Sequence, residues 1–394
     1  MNKRENHQTV LLTLEYPPQI GGISTYLSHL AERFPAGTFH VLAPELTETH
    51  VTDMAASVPI YRRPLIMRWL RPRWLPALYW TWWLYRKERP KVLIVSHLLN
   101  MGRVALNMRR LFKLPYVVIL HGMDIALAAS GGVNKRLAAK EILTGAAHIV
   151  CNSRYTAQWT RTLGIPENRI TIVNPPPALP LDTAVEKSRA DEFRRRLKIG
   201  DSFLLLSAGR LVERKGFDQC LEAVAELRGQ KRNLKYVIVG EGAYREKLEQ
   251  RAAELNITDC VQFLGATSTE ELTTAYAACD TFVMVPRALG SDVEGFGIVY
   301  LEANLFGKPV IGSRSGGVPE SVLHEETGLL VDPGNTPQLT QAIARLMDDV
   351  KLRERLGEGG RRRLQRDFGD DRQARRFVSA VRQAANSSPR NRGK

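Results

Sequence analysis

The feature that most constrains the fold of this chain is an alternation between short apolar runs and longer segments with helical spacing. In the N-terminal half the runs are Val10–Leu14, Val92–Val95, Tyr116–Leu120 and His148–Cys151. The series restarts after a proline run with Phe203–Ser207, Tyr236–Val239, Val261–Phe263, Thr281–Val285, Val310–Gly312 and Leu329–Val331. Short apolar runs separated by helix-length segments predict parallel sheets that are covered by helices on both faces.

The proline run, Asn174-Pro175-Pro176-Pro177, lies where the pattern restarts, and 394 residues exceed what one ordinary core holds. We therefore predict an α/β chain with two Rossmann-like, doubly wound domains, residues 1–180 and 181–369, that face each other across a cleft. A C-terminal helix near 370–389 is expected to pack back on the first domain. Ligands bind at the carboxyl ends of the strands in such sheets, so the site is expected in the loops that follow them.

Two segments have the sequence of a helix start. Ser268-Thr269-Glu270-Glu271 fits a capping box, and Thr336-Pro337 fits an N-cap residue followed by a first-turn proline. Both segments follow predicted strands, as the alternation requires.

Composition excludes several classes of protein. The apolar fraction of 44% and the mixture of charges exclude a mostly disordered chain, although 56 basic against 41 acidic residues give a net charge of +15. The four cysteines are scattered with no CxxC pair, which indicates neither a disulfide framework nor a zinc site and favours a reducing compartment. No stretch approaches the roughly 20 apolar residues of a spanning helix. We expect a cytoplasmic chain, or one that contacts a membrane from outside.

The most specific motif places seven residues between the carboxylates of Glu294 and Glu302. Its glycines predict a loop-to-helix transition near Gly297, so that the N–H groups from about Phe296 to Val299 lack intrahelical acceptors. Such a helix end binds anions. The two carboxylates cannot hold phosphate, but they can accept hydrogen bonds from the hydroxyls of a sugar and a ribose. The alternative is a solvated helix with two surface acids.

Three shorter motifs also follow predicted strands. Arg210 and Lys215 form a basic pair that suits a diphosphate, unless it is only a solvated loop. His121 ends a buried strand, where a histidine is more often a structural hydrogen-bonding group. Gly21 and Gly22 allow the backbone to approach a ligand closely, or simply form a tight turn.

Together these motifs resemble the retaining glycosyltransferases of family 4, which have the GT-B fold. The resemblance extends over nearly the whole chain and includes the turn Gly316-Gly317-Val318-Pro319-Glu320. The stretch from Ser291 to Glu302 is most similar to the phosphatidylinositol-mannoside mannosyltransferases of that family.

The resemblance implies a role for each motif. A nucleotide sugar would be held mainly by the second domain, and the acceptor mainly by the first. Arg210 and Lys215 would neutralise the departing diphosphate, and His121 would contact the donor sugar near the reacting carbon. Glu294 would hold hydroxyls of the donor sugar, and Glu302 those of the ribose. The remaining donor contacts would be Gly21, Gly22, Phe296, Gly297, Ile298 and Val299.

The resemblance also implies that the anomeric configuration is retained without a protein nucleophile, the leaving phosphate taking the acceptor's proton on the same face. The chain contains no Asp-x-Asp sequence, the metal–diphosphate anchor of the other major glycosyltransferase fold. With two cations present, we expect no metal or other cofactor. GDP-mannose is the favoured co-substrate and a UDP-sugar the alternative.

A basic aromatic segment lies between Arg62 and Lys91 and contains five of the six tryptophans. Tryptophan favours the membrane–water interface, and each basic residue near an anionic surface contributes roughly 1 kcal/mol of attraction. We predict peripheral docking on an anionic membrane, at the inner face of the cell membrane. The alternative is that the tryptophans pack against the chain's own sheet. The predicted membrane contacts are Trp69, Trp74, Trp80, Trp82, Trp83, Arg71 and Arg73.

Other functions stay open at this point. A nucleic-acid-binding protein would explain the positive charge, but we find no zinc-finger spacing and no RNP-type strand and expect no nucleic-acid partner. A nucleotide-sugar epimerase or a glycosyl phosphorylase on the same fold, or an inactive membrane-surface binder, are further alternatives. The sequence leaves open the donor base and the acceptor, for which the alternatives are a lipid-linked saccharide, a phosphoglycolipid and a soluble glycan.

Overall fold

The computed structural model describes residues 8–19, 21–46, 49 and 53–387. It forms two compact units: Met1–Pro176 with Asp370–Lys394, and Pro177–Gly369. The division lies inside the proline run, four residues before the expected boundary. Asn174 ties the chain to the first unit, since its amide N–H donates to Gln373 (2.9 Å) and its side chain donates to the carbonyl of Asn152 (3.0 Å).

Within the described residues, the first unit is built on a seven-stranded parallel sheet of order β3-β2-β1-β4-β5-β6-β7. Leu11 and Leu12 of β1 point to opposite faces and enter two separate cores, as the period of a strand requires. The strands are β1 (Thr9–Leu12), β2 (Phe39–Pro44), β3 (Ile60–Arg63), β4 (Val92–Ser96), β5 (Tyr116–Leu120), β6 (His148–Cys151) and β7 (Ile170–Ile172).

The helices that follow these strands cover both faces of the sheet. They are α1 (Gly22–Ala31), α2 (Leu75–Glu88), α3 (Asn100–Phe112), α4 (Met123–Ala129), α5 (Val133–Gly145) and α6 (Arg154–Thr162). Helices α2 to α5 pack over one face through residues such as Leu84, Met101 and Ile142. Helix α1 covers the other face with Tyr26 and Leu27.

In the described part of the second unit, a six-stranded parallel sheet has the order β10-β9-β8-β11-β12-β13. Its strands are β8 (Phe203–Ala208), β9 (Leu234–Val239), β10 (Val261–Gly265), β11 (Thr281–Val283), β12 (Val310–Ser313) and β13 (Gly328–Val331). The strand order reverses between β8 and β11, so the loops after these neighbouring strands lie side by side. Ligands bind at such a switch point in open α/β sheets.

The helices of the second unit are α7 (Lys187–Arg196), α8 (Phe217–Gly229), α9 (Arg245–Glu254), α10 (Thr269–Ala278), α11 (Ile298–Leu305), α12 (Val318–Ser321), α13 (Thr336–Asp348) and α14 (Val350–Asp367). The last helix, α15 (Asp370–Asn386), returns to the first unit, where Phe377 packs edge-on against Phe34. The end of the helix expected over 370–389, residues 388 and 389, lies outside the described residues. No helix in the described ranges is both long and apolar enough to cross a bilayer.

Three strands and one helix cap differ from the sequence predictions. The strands β2, β3 and β7 were not predicted. His40 interrupts the apolar residues of β2, β3 ends in two arginines, and β7 is an edge strand of only three residues. The Ser268 cap is confirmed by a hydrogen bond from the Glu271 N–H (3.1 Å). The predicted Thr336 cap is wrong by one residue. Asn335 accepts the Gln338 N–H (3.0 Å), because an amide oxygen there reaches the first turn.

Candidate active site

Lys215, Arg214 and Glu294 meet at the carboxyl ends of the neighbouring strands β8 and β11. One carboxylate oxygen of Glu294, Oε2, accepts hydrogen bonds from Lys215 Nζ (2.6 Å) and from Arg214 Nη1 (2.9 Å). All three side chains are only 11–12% exposed. The structure therefore brings two of the predicted site residues, Lys215 and Glu294, into direct contact.

The two cations fix the charge of Glu294. Burial by itself raises the pKa of this carboxyl, but the charges and hydrogen bonds of Lys215 and Arg214 outweigh burial and lower the pKa to about 2. Glu294 is therefore ionised across the physiological range. In that state it accepts hydrogen bonds and donates none, which suits sugar hydroxyls and excludes phosphate.

Arg214 is a site residue that the sequence reasoning passed over. Its Nε lies 2.8 Å from Asp292 Oδ1, so the guanidinium bridges Asp292 and Glu294. Its carbonyl accepts the N–H of Arg287 (2.8 Å), which in turn forms a bidentate pair with Asp218 at 3.0 and 2.7 Å. This network holds the loop that carries Lys215. Arg214 stands beside Lys215 in the sequence, and this adjacency was the available signal.

Arg210 lies at the end of β8 and is exposed. Within the part of the chain that the structure describes, its guanidinium makes no hydrogen bond or ion pair. An exposed guanidinium on the loop that carries Lys215 leaves five N–H donors for an anionic ligand.

The start of α11 is shaped by two glycine positions. Gly297 is the N-cap, with φ 90° and no capping side chain, and a Cβ there would lie 2.5 Å from the Tyr300 ring. Gly316 has φ 57°, and a Cβ there would lie 2.2 Å from the carbonyl oxygen of Glu294. The next residue, Gly317, donates its N–H to that oxygen (2.9 Å). The Gly316-Gly317 turn thus lies directly against the Glu294 backbone.

The other predicted donor-binding positions of this segment differ in what they expose. Ile298 and Val299 form the first turn of α11, so their N–H groups lie at its positive end. The Phe296 ring is buried against Phe368, and its carbonyl accepts from Ser321 Oγ (2.8 Å). Phe296 is therefore a core side chain, and only its backbone N–H is left for a ligand.

Glu302 lies inside α11 and is 6% exposed. Its Oε2 accepts a hydrogen bond from the Tyr276 hydroxyl (2.7 Å). Burial raises the pKa of the carboxyl, while this bond and one from the Ala178 backbone lower it, with a net shift upward. Glu302 thus already holds a hydroxyl in the way predicted for a ribose. Among the described residues it makes no hydrogen bond with Lys215 or Glu294, so the ribose role stays a prediction.

In the first unit, His121 is held at the carboxyl end of β5. Its Nε2 lies 2.7 Å from Ser96 Oγ, its N–H donates to Asp124 Oδ1 (3.0 Å), and its carbonyl accepts from Asn152 (3.0 Å). Burial, with the nearby charge of His97, lowers the pKa of the imidazole to about 3. His121 is therefore neutral at physiological pH and can exchange hydrogen bonds with hydroxyls.

Two further polar residues lie near His121 and were not singled out from the sequence. The ring of His97 is 6.3 Å from that of His121, and its Nε2 lies 3.3 Å from Glu15 Oε1. His97 adopts φ 73°, a left-handed conformation that is costly for a histidine. Gly21 also borders this cluster, since a Cβ there would lie 4.0 Å from Glu15 Oε2. His97 and Glu15 each follow an apolar run, and this position is the feature of the sequence that could have indicated a role for them.

The tryptophans of the basic aromatic segment divide into two groups. Trp69 and Trp82 are 78% and 38% exposed. Trp74, Trp80 and Trp83 are partly buried against the core of the first unit. The packing alternative therefore holds for these three indoles, because α2 needs apolar side chains to cover the sheet. Arg71 and Arg73, the predicted basic contacts of this segment, are exposed. Elsewhere in the first unit, Gly22 is the first residue of α1.

Comparison with known proteins identifies the family. A model of group 1 glycosyl transferases matches residues 188–363, and a model of glycosyltransferase family 4 matches residues 20–176. The GDP-mannose-dependent α-(1-6)-phosphatidylinositol monomannoside mannosyltransferase of Mycolicibacterium smegmatis is 31% identical over 368 residues, which cover 89% of this chain and 92% of that protein. The chain belongs to glycosyltransferase family 4.

Two further similarities agree with this family 4 assignment. The enzyme of the same name from Mycobacterium tuberculosis is 29% identical over 389 residues, which cover 90% of this chain and 92% of that enzyme. Anabaena Alr3699/HepE, solved in complex with UDP-glucose, has a TM-score of 0.81 at 18% identity, covering 95% of this glycosyltransferase and 100% of that chain. The structural likeness confirms the GT-B fold, and the sequence likeness confirms the resemblance to phosphatidylinositol-mannoside mannosyltransferases.

Proposed function

We propose that this family 4 glycosyltransferase transfers mannose from GDP-mannose to a lipid-linked acceptor, with retention of the anomeric configuration. The observation that supports this most is the ionised Glu294 held between Lys215 and Arg214, with the exposed Arg210 on the same loop after β8 as Lys215. A carboxylate for hydroxyls next to cations for a diphosphate matches the two halves of a nucleotide sugar. The names of the mycobacterial relatives favour GDP-mannose and an inositol-lipid mannoside.

In this mechanism the cations of the second unit stabilise the leaving group. An ammonium has three N–H donors, so Lys215 can keep its bond to Glu294 and donate another to the diphosphate. Arg210 adds a forked contact, and the N–H groups of Ile298 and Val299 add the positive end of α11. Removing one such preorganised donor typically reduces turnover by about 100- to 1000-fold.

Bond making and bond breaking then balance on one face of the sugar. The bond between the anomeric carbon and the phosphate oxygen breaks, and the acceptor hydroxyl oxygen bonds to that carbon. The hydroxyl proton passes to the departing phosphate oxygen. Glu294 holds hydroxyls of the mannose, Glu302 those of the ribose, and neutral His121 contacts the sugar near the reacting carbon. Gly21 and Gly22 complete the donor contacts through their backbone.

This mechanism uses no metal or other cofactor. Arg210 and Lys215 supply the positive charge that a divalent ion would otherwise bring to the diphosphate. The proposal therefore includes transfer that is insensitive to chelators.

We also place the enzyme on the inner face of an anionic membrane. Leu75, Tyr79 and Trp82 are exposed on one face of α2, and Trp69 precedes them at 78% exposure. The exposed Arg71 and Arg73 accompany them. This combination of apolar and basic groups suits an anionic headgroup layer.

A direct assay tests the catalytic proposal. The purified chain is incubated with GDP-mannose, UDP-glucose or ADP-glucose, with and without phosphatidylinositol monomannoside in vesicles, in buffer containing EDTA. We expect transfer from GDP-mannose and from neither other donor, only when the acceptor is present, and we expect NMR of the product to show an α linkage. Conversion of the donor without acceptor would instead indicate an epimerase, and transfer that stops with EDTA would contradict the metal-free mechanism.

A further inference from the structure

The helix pair α4–α5, which follows β5, presents large apolar side chains to solvent. Met123 and Leu127 on α4 are 47% and 42% exposed, and Val133 and Leu137 on α5 are 73% and 59% exposed. In each helix the two residues are four apart, which places them on one face. Four such residues on two helices in contact exceed the scattered exposure of an ordinary surface.

These side chains do not serve the packing of their own helices. The inward faces of α4 and α5 already enter the core of the first unit through Ile125, Ala139 and Ile142. Residues 132–137 are all exposed. The outward face of the pair is therefore an apolar surface in addition to the one that holds the fold together.

The same face carries positive charge. Arg136 lies three residues after Val133 and Lys140 three residues after Leu137, so both are on or next to the apolar face of α5. Both side chains are exposed, and neither forms an ion pair within the described ranges. The acid of α5 is engaged elsewhere, because Glu141 bonds the guanidinium groups of two arginines of α3. The acid of α4, Asp124, accepts backbone N–H groups at the start of its helix. The exposed surface is thus apolar and basic.

We infer that the outward face of α4–α5 docks into an anionic lipid bilayer. A bilayer with anionic headgroups complements both properties, since the apolar side chains enter the acyl boundary and the basic ones meet the headgroups. A symmetric second copy would oppose two cations with two cations. Helices α2 and α5 both pack on α3, so this face adds a second lipid contact to the exposed face of α2.

This docking carries a consequence for the site. Met123 lies two residues after His121, and Asp124 of the first turn of α4 accepts the His121 N–H. Seating α4 in the headgroup layer therefore brings the His121 loop to the membrane surface. That this loop meets a glycolipid acceptor there rests on the proposed function, whereas the docking itself does not.

Vesicle co-sedimentation of the full chain tests the docking. The vesicles contain phosphatidylcholine alone or equal parts of phosphatidylcholine and phosphatidylglycerol. The test variant is Leu127→Ser/Leu137→Ser, and the matched control is Val350→Ser, which alters an exposed apolar residue of the second unit. We expect the wild type and the control to bind anionic vesicles, and the double variant to bind at least tenfold less. A charge-reversal variant, Arg136→Glu/Lys140→Glu, should lose binding similarly.

Unchanged binding of the double variant would overturn the inference, as would equal binding of the wild type to neutral vesicles. A dimer in lipid-free solution that the double variant abolishes would assign the face to a second copy instead. Thermal melts of both variants check that each is folded. Activity separates the two proposals: if no nucleotide sugar supports transfer while vesicle binding still depends on Leu127 and Leu137, the docking stands and the proposed function falls.

Discussion

Among single residues, Glu294 combines burial with a full negative charge. Its carboxylate is shared between Lys215 and Arg214, and the resulting pKa of about 2 keeps it ionised. Such an arrangement is costly to build for stability alone, because two cations and a carboxylate must leave water. We interpret it as a preorganised site for a ligand with both anionic and hydroxyl groups.

Replacement of either partner should separate folding from turnover. Glu294→Gln keeps the shape but removes the charge, and Lys215→Ala removes the cation from the proposed diphosphate contact. We expect each to lower kcat/KM for GDP-mannose by about 100-fold or more. The control is Glu325→Gln, which removes a surface ion pair with Arg345 in the same unit. Near-normal turnover of both site variants, measured on folded protein, would contradict these roles.

The pH dependence of stability should report the same carboxylate. The pKa of Glu294 is lowered from 4.5 to about 2 on folding, so its contribution is fully present above pH 4.5. It is lost as the pH falls through 2, because the unfolded chain then binds the proton more tightly. The difference amounts to about 3 kcal/mol. Urea unfolding of wild type and Glu294→Gln should therefore converge between pH 4.5 and 2. A constant difference would contradict the assignment.

The sequence showed which residues form each motif, but it did not show the partners that hold each side chain in place. The spacing of Glu294 and Glu302 was legible, yet only the structure shows Tyr276 on Glu302 and Arg214 on Glu294. His97 and Glu15 meet because β1 and β4 are neighbours in the sheet. A contact between residues 82 positions apart depends on sheet order, which no local pattern contains.

Among the elements, the turn that precedes α12 supports the site through its backbone. Gly316 has a left-handed φ, and its Cα lies so close to the Glu294 carbonyl that no side chain fits. A second loop thereby holds the backbone of the Glu294 loop, in addition to the side-chain contacts of Arg214 with Asp292 and Glu294. The position of the carboxylate should be sensitive to any Cβ introduced at this turn.

A pair of glycine variants isolates that effect. Gly334 has a comparable φ of 78°, but no atom lies within 4 Å of its ideal Cβ. Gly334→Ala should cost about 1 kcal/mol through backbone strain alone. Gly316→Ala should cost clearly more and reduce turnover at least tenfold, because the Glu294 loop must move. Equal effects of the two variants on melting temperature and turnover would show that the turn does not position Glu294.

The predictability of elements followed their burial. β5 and β6 begin and end where the apolar runs predicted, since both are interior strands buried on both faces. β3 was missed because an edge strand can carry Arg62, which pairs with Asp53 instead of entering a core. The α2 segment was ambiguous for a related reason. An indole suits both a sheet face and a lipid interface, and only exposure separates Trp82 from Trp83.

At the scale of the whole molecule, the fold and family could be predicted because each motif is a short stretch of sequence that follows a predicted strand. The donor base could not be predicted, since none of the sequence motifs localises the recognition of a base. The net charge of +15 gave no partner by itself. Its placement beside exposed apolar groups on α2 and on α4–α5 is what supports an anionic membrane.

The most direct measurement is the affinity of GDP-mannose relative to that of GDP, determined by calorimetry for wild type, Glu294→Gln and Arg210→Ala. If the carboxylate holds the sugar and the cations hold the diphosphate, Glu294→Gln should lower the affinity for GDP-mannose at least tenfold more than the affinity for GDP. Arg210→Ala should weaken both ligands together. Equal losses for both ligands in Glu294→Gln, or none in Arg210→Ala, would contradict this division of the nucleotide sugar.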